Sequence, residues 1–322
     1  MTKSLGGFKD KIKICAIVGP TASGKSDLAI WLAKKIDAEI ISADSMQIYR
    51  GMDIGTAKPT EADRNLVKHH MIDFLDPNEI FSVADYVKMA HSAIEGVVGR
   101  GKKPILVGGT GLYVDSLLNG VQFPKQKTNL NIRRQLLDEL DKFGPEYMFD
   151  RLGEVDCEYA KSIHPNNSKR VIRGLEIYLS TGLSVSENLR LSRKKETCFD
   201  ACRIGLTFLD RENLYKKIDS RVDYMIERGL IEEAKKFFDS KNSSETSAQA
   251  IGYKEFCDYF LGKQSLDETI LKIKQNTRKY AKRQLTWFRR DKRINWIYCD
   301  DMCEEERRDM AMKIVGKHFG IG

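Results

Sequence analysis

The chain has 322 residues, 41% of them hydrophobic and 31% charged, with a formal net charge of +8. That balance fits one large α/β domain, alone or with an insertion, and excludes disordered and fibrous classes. No run of about 18 apolar residues occurs, and the opening residues lack the apolar centre of a secretory signal, so a cytoplasmic protein without membrane contact is expected. The seven cysteines are odd in number and never spaced C-x-x-C, which points to reduced thiols rather than a zinc site.

In chain order, Ile12 to Val18 is an apolar, β-branched run that ends at Gly19-Pro20 and precedes a helical pattern through Leu28, Leu32 and Ile36. A second strand pattern, Glu39 to Ala43, ends at Asp44. Ser82 with Asp85 reads as a capping box that opens a helix to Val98. A third strand, Pro104 to Val107, runs into the glycine-rich Gly108 to Gly111. Strands alternating with helices imply a parallel, doubly wound sheet. Residues 123–200 show helix-period segments (Leu130 to Phe143, Tyr147 to Leu152, Val171 to Leu179) and no convincing strand. The expected organisation is therefore a core of residues 1–122 and 201–322 around a mostly helical insertion, 123–200. Residues 203–209 read as a strand returning to the sheet, with helices following to about Arg290.

Gly19, Pro20, Thr21, Ala22, Ser23, Gly24, Lys25 and Ser26 satisfy G-x-x-x-x-G-K-[ST] between a strand and a helix. Backbone N–H groups there can converge on phosphate oxygens, Lys25 adds a point charge, and Ser26 can ligate Mg²⁺. The motif does not say whose phosphates it holds. Asp44 and Thr110 follow strand ends at the edge where open α/β sheets gather ligands. Asp44 could act as a general base, hold Mg²⁺ through water, or cap a helix. Thr110 could hold an acceptor or stabilise its turn. Arg221, near Asp219 and Asp223, reads as a surface ion pair or as a clamp on phosphate oxygens. His69-His70 invites a metal reading, but adjacent histidines do not aim at one ion from a regular element.

Charge is concentrated late. Between Lys272 and Arg293 stand ten basic residues against Asp291 alone, with Tyr280, Trp287 and Phe288 interleaved. Such a stretch suits a phosphodiester surface, or else a solvated helix face.

Taken together, GPTASGKS (19–26), ISADSMQIYRGMDIGTAKP (41–59), HHMIDFLDP (69–77), VGGTGLY (107–113), HPNNSKRVIRGLEIY (164–178), IGYKEF (251–256) and KRQLTWFRR (282–290) resemble the tRNA dimethylallyltransferases, of bacterial type. The resemblance implies a nucleotide-kinase-like fold, dimethylallyl diphosphate and Mg²⁺ at the P-loop, and tRNA bound by its anticodon stem-loop with adenosine 37 flipped into the core. It implies that Asp44 is the base, that Thr110 hydrogen-bonds within the reacting group, and that Lys25, Ser26-bound Mg²⁺ and Arg221 stabilise the leaving diphosphate. It places Asp44, Ser45, Met46, Gln47, Thr110, Arg133, Lys169, Arg170, Val171, Ile172, Arg173, Gln249, Ala250, Ile251, Gly252, Tyr253 and Lys254 against tRNA, with the insertion on the anticodon stem. A monomer is expected. Asn167 departs from the family pattern, which has an acid there. Three rivals remain at this level: a P-loop kinase, which would need a nucleoside triphosphate; an adenylate isopentenyltransferase acting on a free nucleotide, which would not need the basic segment; and a non-enzymatic RNA-binding protein whose P-loop serves only as a phosphate nest.

Overall fold

The computed structural model describes residues 11–121, 130–193, 197–241 and 243–321. The elements in chain order are β1 (Ile12–Val18), α1 (Lys25–Ile36), β2 (Ala38–Ser42), α2 (Glu61–Leu66), β3 (His69–His70), α3 (Val83–Gly99), β4 (Lys103–Gly108) and α4 (Gly111–Leu118). Next come α5 (Leu130–Val155), α6 (Cys157–Lys161), α7 (Ser168–Thr181) and α8 (Val185–Arg193). The chain closes with β5 (Phe199–Thr207), α9 (Arg211–Glu227), α10 (Leu230–Ser240), α11 (Phe256–Phe260), α12 (Leu266–Phe288), β6 (Ile294–Tyr298) and α13 (Glu304–Phe319). Two compact units result: residues 1–118 with 198–322, and residues 119–197. The first expected boundary of the insertion, between residues 122 and 123, lies outside the described residues.

In the larger unit six parallel strands pair in the order β3-β2-β4-β1-β5-β6. Alternation along β1 sends Ile12, Ile14, Ala16 and Val18 to one face and Cys15 and Ile17 to the other, which places a core on each side. One core takes Tyr86, Ile94 and Leu117 from α3 and α4. The other takes Leu28, Leu32 and Val315 from α1 and α13. β5 begins four residues earlier than its sequence pattern, at Phe199, and the edge strand β6 carries no sequence signal strong enough to separate it from the basic stretch before it. The Ser82–Asp85 capping box forms as expected. His69 and His70 have separate partners: His69 Nδ1 lies 2.8 Å from the Val67 carbonyl, and His70 Nε2 lies 2.6 Å from Glu39 Oε2.

A third cluster packs Ile48, Tyr49 and Met52 against Val222, Leu230, Phe256 and Ile273. The loop after β2 is held there by buried ions and carboxylates. Lys58, its side chain 1% exposed, pairs with Asp53 at 2.5 Å and Asp73 at 2.9 Å and donates to the Tyr49 carbonyl. Glu233 accepts from the backbone N–H groups of Asp53, Ile54 and Gly55 and from the Tyr253 hydroxyl.

The smaller unit is helical around Leu136, Met148, Leu152, Val171 and Leu175. Gly144, with φ of 82° and Pro145 after it, breaks α5 into the two segments read from the sequence. Among the described residues no helix is long and apolar enough to cross a membrane.

Glu39, at 4% exposure on β2, tests the sheet's electrostatics. Burial opposes its charge, but hydrogen bonds and attraction from Arg100 and His70 outweigh burial and hold the carboxyl down at about 2. Its stabilising effect is therefore complete above the unfolded value near 4.5 and disappears as pH falls through about 2. Glu39→Gln should lower unfolding free energy by about 3 kcal/mol at pH 7. In urea titrations the gap should narrow as pH drops from 5 to 3, and a gap independent of pH would contradict the assignment.

Candidate active site

The carboxyl ends of β1, β2 and β4 bring three loops together. After β1, Ala22 (φ 62°) and Gly24 (φ 80°) take left-handed conformations that curl the chain into a concave array of N–H groups ahead of α1. The first-turn N–H groups of α1 have no helical partners and are free to meet an anion. Gly19 is required for packing as well as conformation, since a Cβ there would lie 2.3 Å from the Leu206 carbonyl oxygen. Lys25 Nζ donates to the Pro20 carbonyl at 2.5 Å and lies 3.5 Å from Ser23 Oγ. Burial, then repulsion from Arg221, lowers its ammonium to about 7, with Asp44 pulling the other way. Ser26 is exposed at the start of α1 and lines the same cleft.

Asp44 follows β2. Its Oδ1 accepts from the backbone N–H of Met46 at 2.8 Å and of Gln47 at 3.3 Å, so the residue caps a turn, and no helix begins there as the capping reading had it. Its Oδ2 has no hydrogen bond among the described residues. Thr110 Oγ1 accepts from the Ser45 N–H at 3.1 Å, which ties the turn after β4 to the turn after β2.

Arg221 on α9 is not a surface ion pair. The two acids beside it have other partners on α12: Asp219 pairs with Arg278, and Asp223 pairs with Lys274 at 2.6 Å. Arg221 itself makes no hydrogen bond or ion pair among the described residues. Burial lowers its pKa, opposed by Asp44 and then Asp27. A half-buried guanidinium with no carboxylate in contact is a cation prepared for an anionic ligand.

Two hollows meet at this point. A cleft of about 950 Å³ holds Gly24, Lys25, Ser26, Lys58, Arg64 and Arg307. A cavity of about 230 Å³ holds Asp44, Met46, Val222, Leu230, Ile273 and Tyr280. Arg221 and Met225 line both. The stripe Ile218, Arg221, Val222, Met225 on α9 faces the stripe Ile273, Thr277, Tyr280 on α12, each at helical spacing.

The remaining expected contact residues fall into different environments. Gln249, Ala250, Ile251, Gly252 and Lys254 line the cavity, as do Ser45 and Met46. Tyr253 is buried with its hydroxyl on Glu233, and Gln47 is committed to the Ser42 hydroxyl and the Thr56 and Ala57 carbonyls. In the smaller unit Lys169, Arg170 and Arg173 are exposed, Arg133 is half-buried on α5, and Val171 and Ile172 point into the helical core.

Two residues that the sequence placed only within the basic stretch stand at the centre of the site. Gln284 accepts from the Thr21 N–H at 2.9 Å and donates to the Gly109 carbonyl at 3.0 Å. Tyr280, one turn before it, lines the cavity and lies under the Arg283 guanidinium. A glutamine among basic residues gives no signal of its own, but Gly109 did carry one: a Cβ there would come 2.0 Å from Gln284 Nε2.

This arrangement defines a P-loop α/β protein with a phosphate cradle beside a cavity that carries a carboxylate. The IPP transferase family model matches residues 47–291. The tRNA dimethylallyltransferase of Halothermothrix orenii is 47% identical over 291 residues, covering 90% of this chain and 88% of that protein. The full-length tRNA isopentenylpyrophosphate transferase of Bacillus halodurans shares the fold with a TM-score of 0.71 at 42% identity, covering 96% of this chain and 97% of that one. A eukaryotic dimethylallyltransferase acting on tRNA gives a TM-score of 0.81 at 30% identity, covering 96% and 80%. The chain belongs to the IPP transferase family, whose members named above are tRNA dimethylallyltransferases.

An anion seated in the cradle should recharge Lys25. Diphosphate affinity should then fall as pH rises through about 7, because the free protein must gain a proton to bind. Calorimetry with inorganic diphosphate at pH 8, in buffers of different ionisation enthalpy, should show about one more proton taken up than with Lys25→Met. Equal uptake by the two proteins would place the charge elsewhere.

Proposed function

We propose that this protein transfers the dimethylallyl group of dimethylallyl diphosphate to N6 of adenosine 37 in tRNA, giving N6-(dimethylallyl)adenosine. The observation that carries the reading is Arg221 and Met225 forming the common wall between the phosphate cleft and the cavity that holds Asp44. The donor's diphosphate lies in the cradle, and the flipped adenine enters the cavity. The Oδ2 atom of Asp44 receives the proton that N6 loses as nitrogen bonds to the allylic carbon, while the carbon–oxygen bond breaks towards diphosphate. An allylic centre tolerates positive character, so the main demand is stabilising negative charge on the leaving group. Lys25, Arg221 and the N–H groups of the P-loop meet it. Thr110, tied to Ser45, borders the acceptor.

Mg²⁺ would fit this donor set in the manner of P-loop proteins: the Ser26 hydroxyl would hold it together with phosphate oxygens and water. Among the described residues no cluster of three His, Cys, Asp or Glu side chains offers an all-protein site instead. Bound there, the ion supplies further charge neutralisation to the diphosphate.

For the anticodon stem-loop we propose phosphate contacts from Lys169, Arg170 and Arg173 in the insertion, placed at residues 123–200, and from the free basic side chains of α12. Arg133, Ser45, Met46, Gln249, Ala250, Ile251, Gly252 and Lys254 border the nucleic acid. The enzyme is read as a cytoplasmic monomer.

Nucleoside mass spectrometry of unmodified tRNA, incubated with protein, Mg²⁺ and dimethylallyl diphosphate without ATP, tests the proposal. One dimethylallyl group on adenosine 37 is the expected product. Absence of product from folded, tRNA-binding protein, with ATP-dependent phosphoryl transfer in its place, would return the P-loop to a kinase. Asp44→Ala should lower the transfer rate by about 10³-fold with tRNA affinity retained. Turnover like that of the wild type would remove Asp44 as the base.

A further inference from the structure

We propose that Gln284 is a positioning residue for prenyl transfer, a single buried amide that sets the spacing between the diphosphate cradle and the acceptor side of the site. The inference rests on the reaction proposed above and concerns a residue that touches neither substrate.

The geometry is two-ended. Gln284 Oε1 holds the N–H of Thr21 inside the P-loop, and Gln284 Nε2 holds the carbonyl of Gly109, immediately before Thr110. Thr110 in turn holds Ser45, the neighbour of Asp44. One side chain thus links the element that binds the leaving group to the elements that carry the base. The residue is 5% exposed, so its hydrogen bonds do not compete with bulk water.

The chemistry selects an amide. The P-loop end presents a donor and the Gly109 end presents an acceptor, so the bridging group must accept and donate at once. A carboxylate would face the Gly109 carbonyl without a proton, and a thioether would offer neither bond. The helix behind the amide is also fixed. Trp287 donates from Nε1 to Asp115 at 2.6 Å and packs where a Cβ on Gly111 would lie, 2.3 Å from its ring. Gln284 and Trp287, three residues apart on α12, therefore grip Gly109 and Gly111, two residues apart in one turn.

Each substrate alone uses one end of this link. Binding the diphosphate needs the P-loop, and binding tRNA needs the acceptor side. Only the transition state needs both at a fixed separation, and a displacement of about 1 Å there costs on the order of 10²-fold in rate.

The test uses full-length protein and two independent ways of breaking the link. Gln284→Asn keeps the amide but is one methylene too short to span both partners. Gly109→Ala leaves Gln284 in place and pushes its amide aside, the obstructed atom being the far end of a flexible side chain. Each should lower the single-turnover rate at saturating substrates by roughly 10- to 100-fold. Dissociation constants for tRNA and for inorganic diphosphate with Mg²⁺ should stay within about threefold of wild type. The double variant should be no slower than the slower single variant, because both act through one contact. Unchanged rates in both single variants would overturn the proposal. So would multiplying effects, or parallel losses of both affinities and of thermal stability, which mark a purely structural glutamine. No transfer by the wild type would overturn the proposed reaction itself, a result distinct from wild-type turnover that the variants share.

Discussion

Six strands running in one direction deliver all their carboxyl ends to a single edge of the sheet, and the site depends on that geometric constraint. Backbone N–H groups, a carboxylate and a hydroxyl come from three loops far apart in sequence, yet β1, β4 and β2 are neighbours in the sheet. The β1–β4 and β2–β4 pairings fix where the P-loop, the Thr110 turn and Asp44 leave the sheet. Gly108 makes the approach close enough, since a Cβ there would lie 2.1 Å from the Ala43 carbonyl oxygen. The sheet sets the site only coarsely. The fine adjustment belongs to side chains on α9 and α12, which close over this edge from outside the sheet.

That division explains why α12 reads differently in sequence and in structure. A linear count makes it a strongly basic segment facing RNA. In three dimensions Lys272, Lys274 and Arg278 are paired with Asp258, Asp223 and Asp219 on neighbouring elements, and Arg293 is paired with Asp291. Among the described residues, positive charge without a carboxylate partner is left on Lys279, Lys282, Arg283, Arg289, Arg290 and Lys292, with Arg283 over the Tyr280 ring and Arg290 over Trp287. The opposite face is buried through Ile273, Ala281, Gln284 and Phe288. One helix carries a wall of the cavity on one side and cations on the other. The pairing with Asp219 and Asp223 also leaves Arg221 without a local carboxylate, so its charge is directed to the cleft.

What was legible in the sequence was whatever has a period or a fixed spacing. The P-loop, the alternation of strands and helices, the Ser82 capping box and the two arms of α5 all appear where the patterns place them. Asp44 and Thr110 were legible because strand ends are. β6 was not, because five residues with an exposed polar Asn295 and a half-buried Trp296 give neither a clean alternation nor a continuous apolar run. Gln284 and Glu233 were illegible for a different reason: a polar residue on a helix gives no local clue that its partner is a backbone amide far away in sequence. Val171 and Ile172 show the converse limit. They lie within a motif shared with tRNA-binding relatives, but their helical period turns them into the core of the smaller unit, leaving Lys169, Arg170 and Arg173 outside.

Three carboxylates around these loops share a physical task. Glu233 gathers three successive N–H groups of residues 53–55, Asp44 gathers those of Met46 and Gln47, and Asp300 gathers those of Leu209 and Asp210. In each case a carboxylate satisfies loop amides that no strand or helix can pair, and its ionised form makes the bonds stronger than a neutral acceptor would. On the proposed function, loops bordering a site that admits both a small anion and a flipped base cannot be packed shut with apolar side chains. Carboxylate clamps, joined by the single amide of Gln284 between the P-loop and the Thr110 turn, keep those loops rigid while leaving the cleft and the cavity open. For Asp44 the clamp also fixes orientation: with Oδ1 committed to the backbone N–H groups of Met46 and Gln47, the carboxylate cannot rotate freely, and Oδ2 keeps the defined direction that the proposed role as base requires.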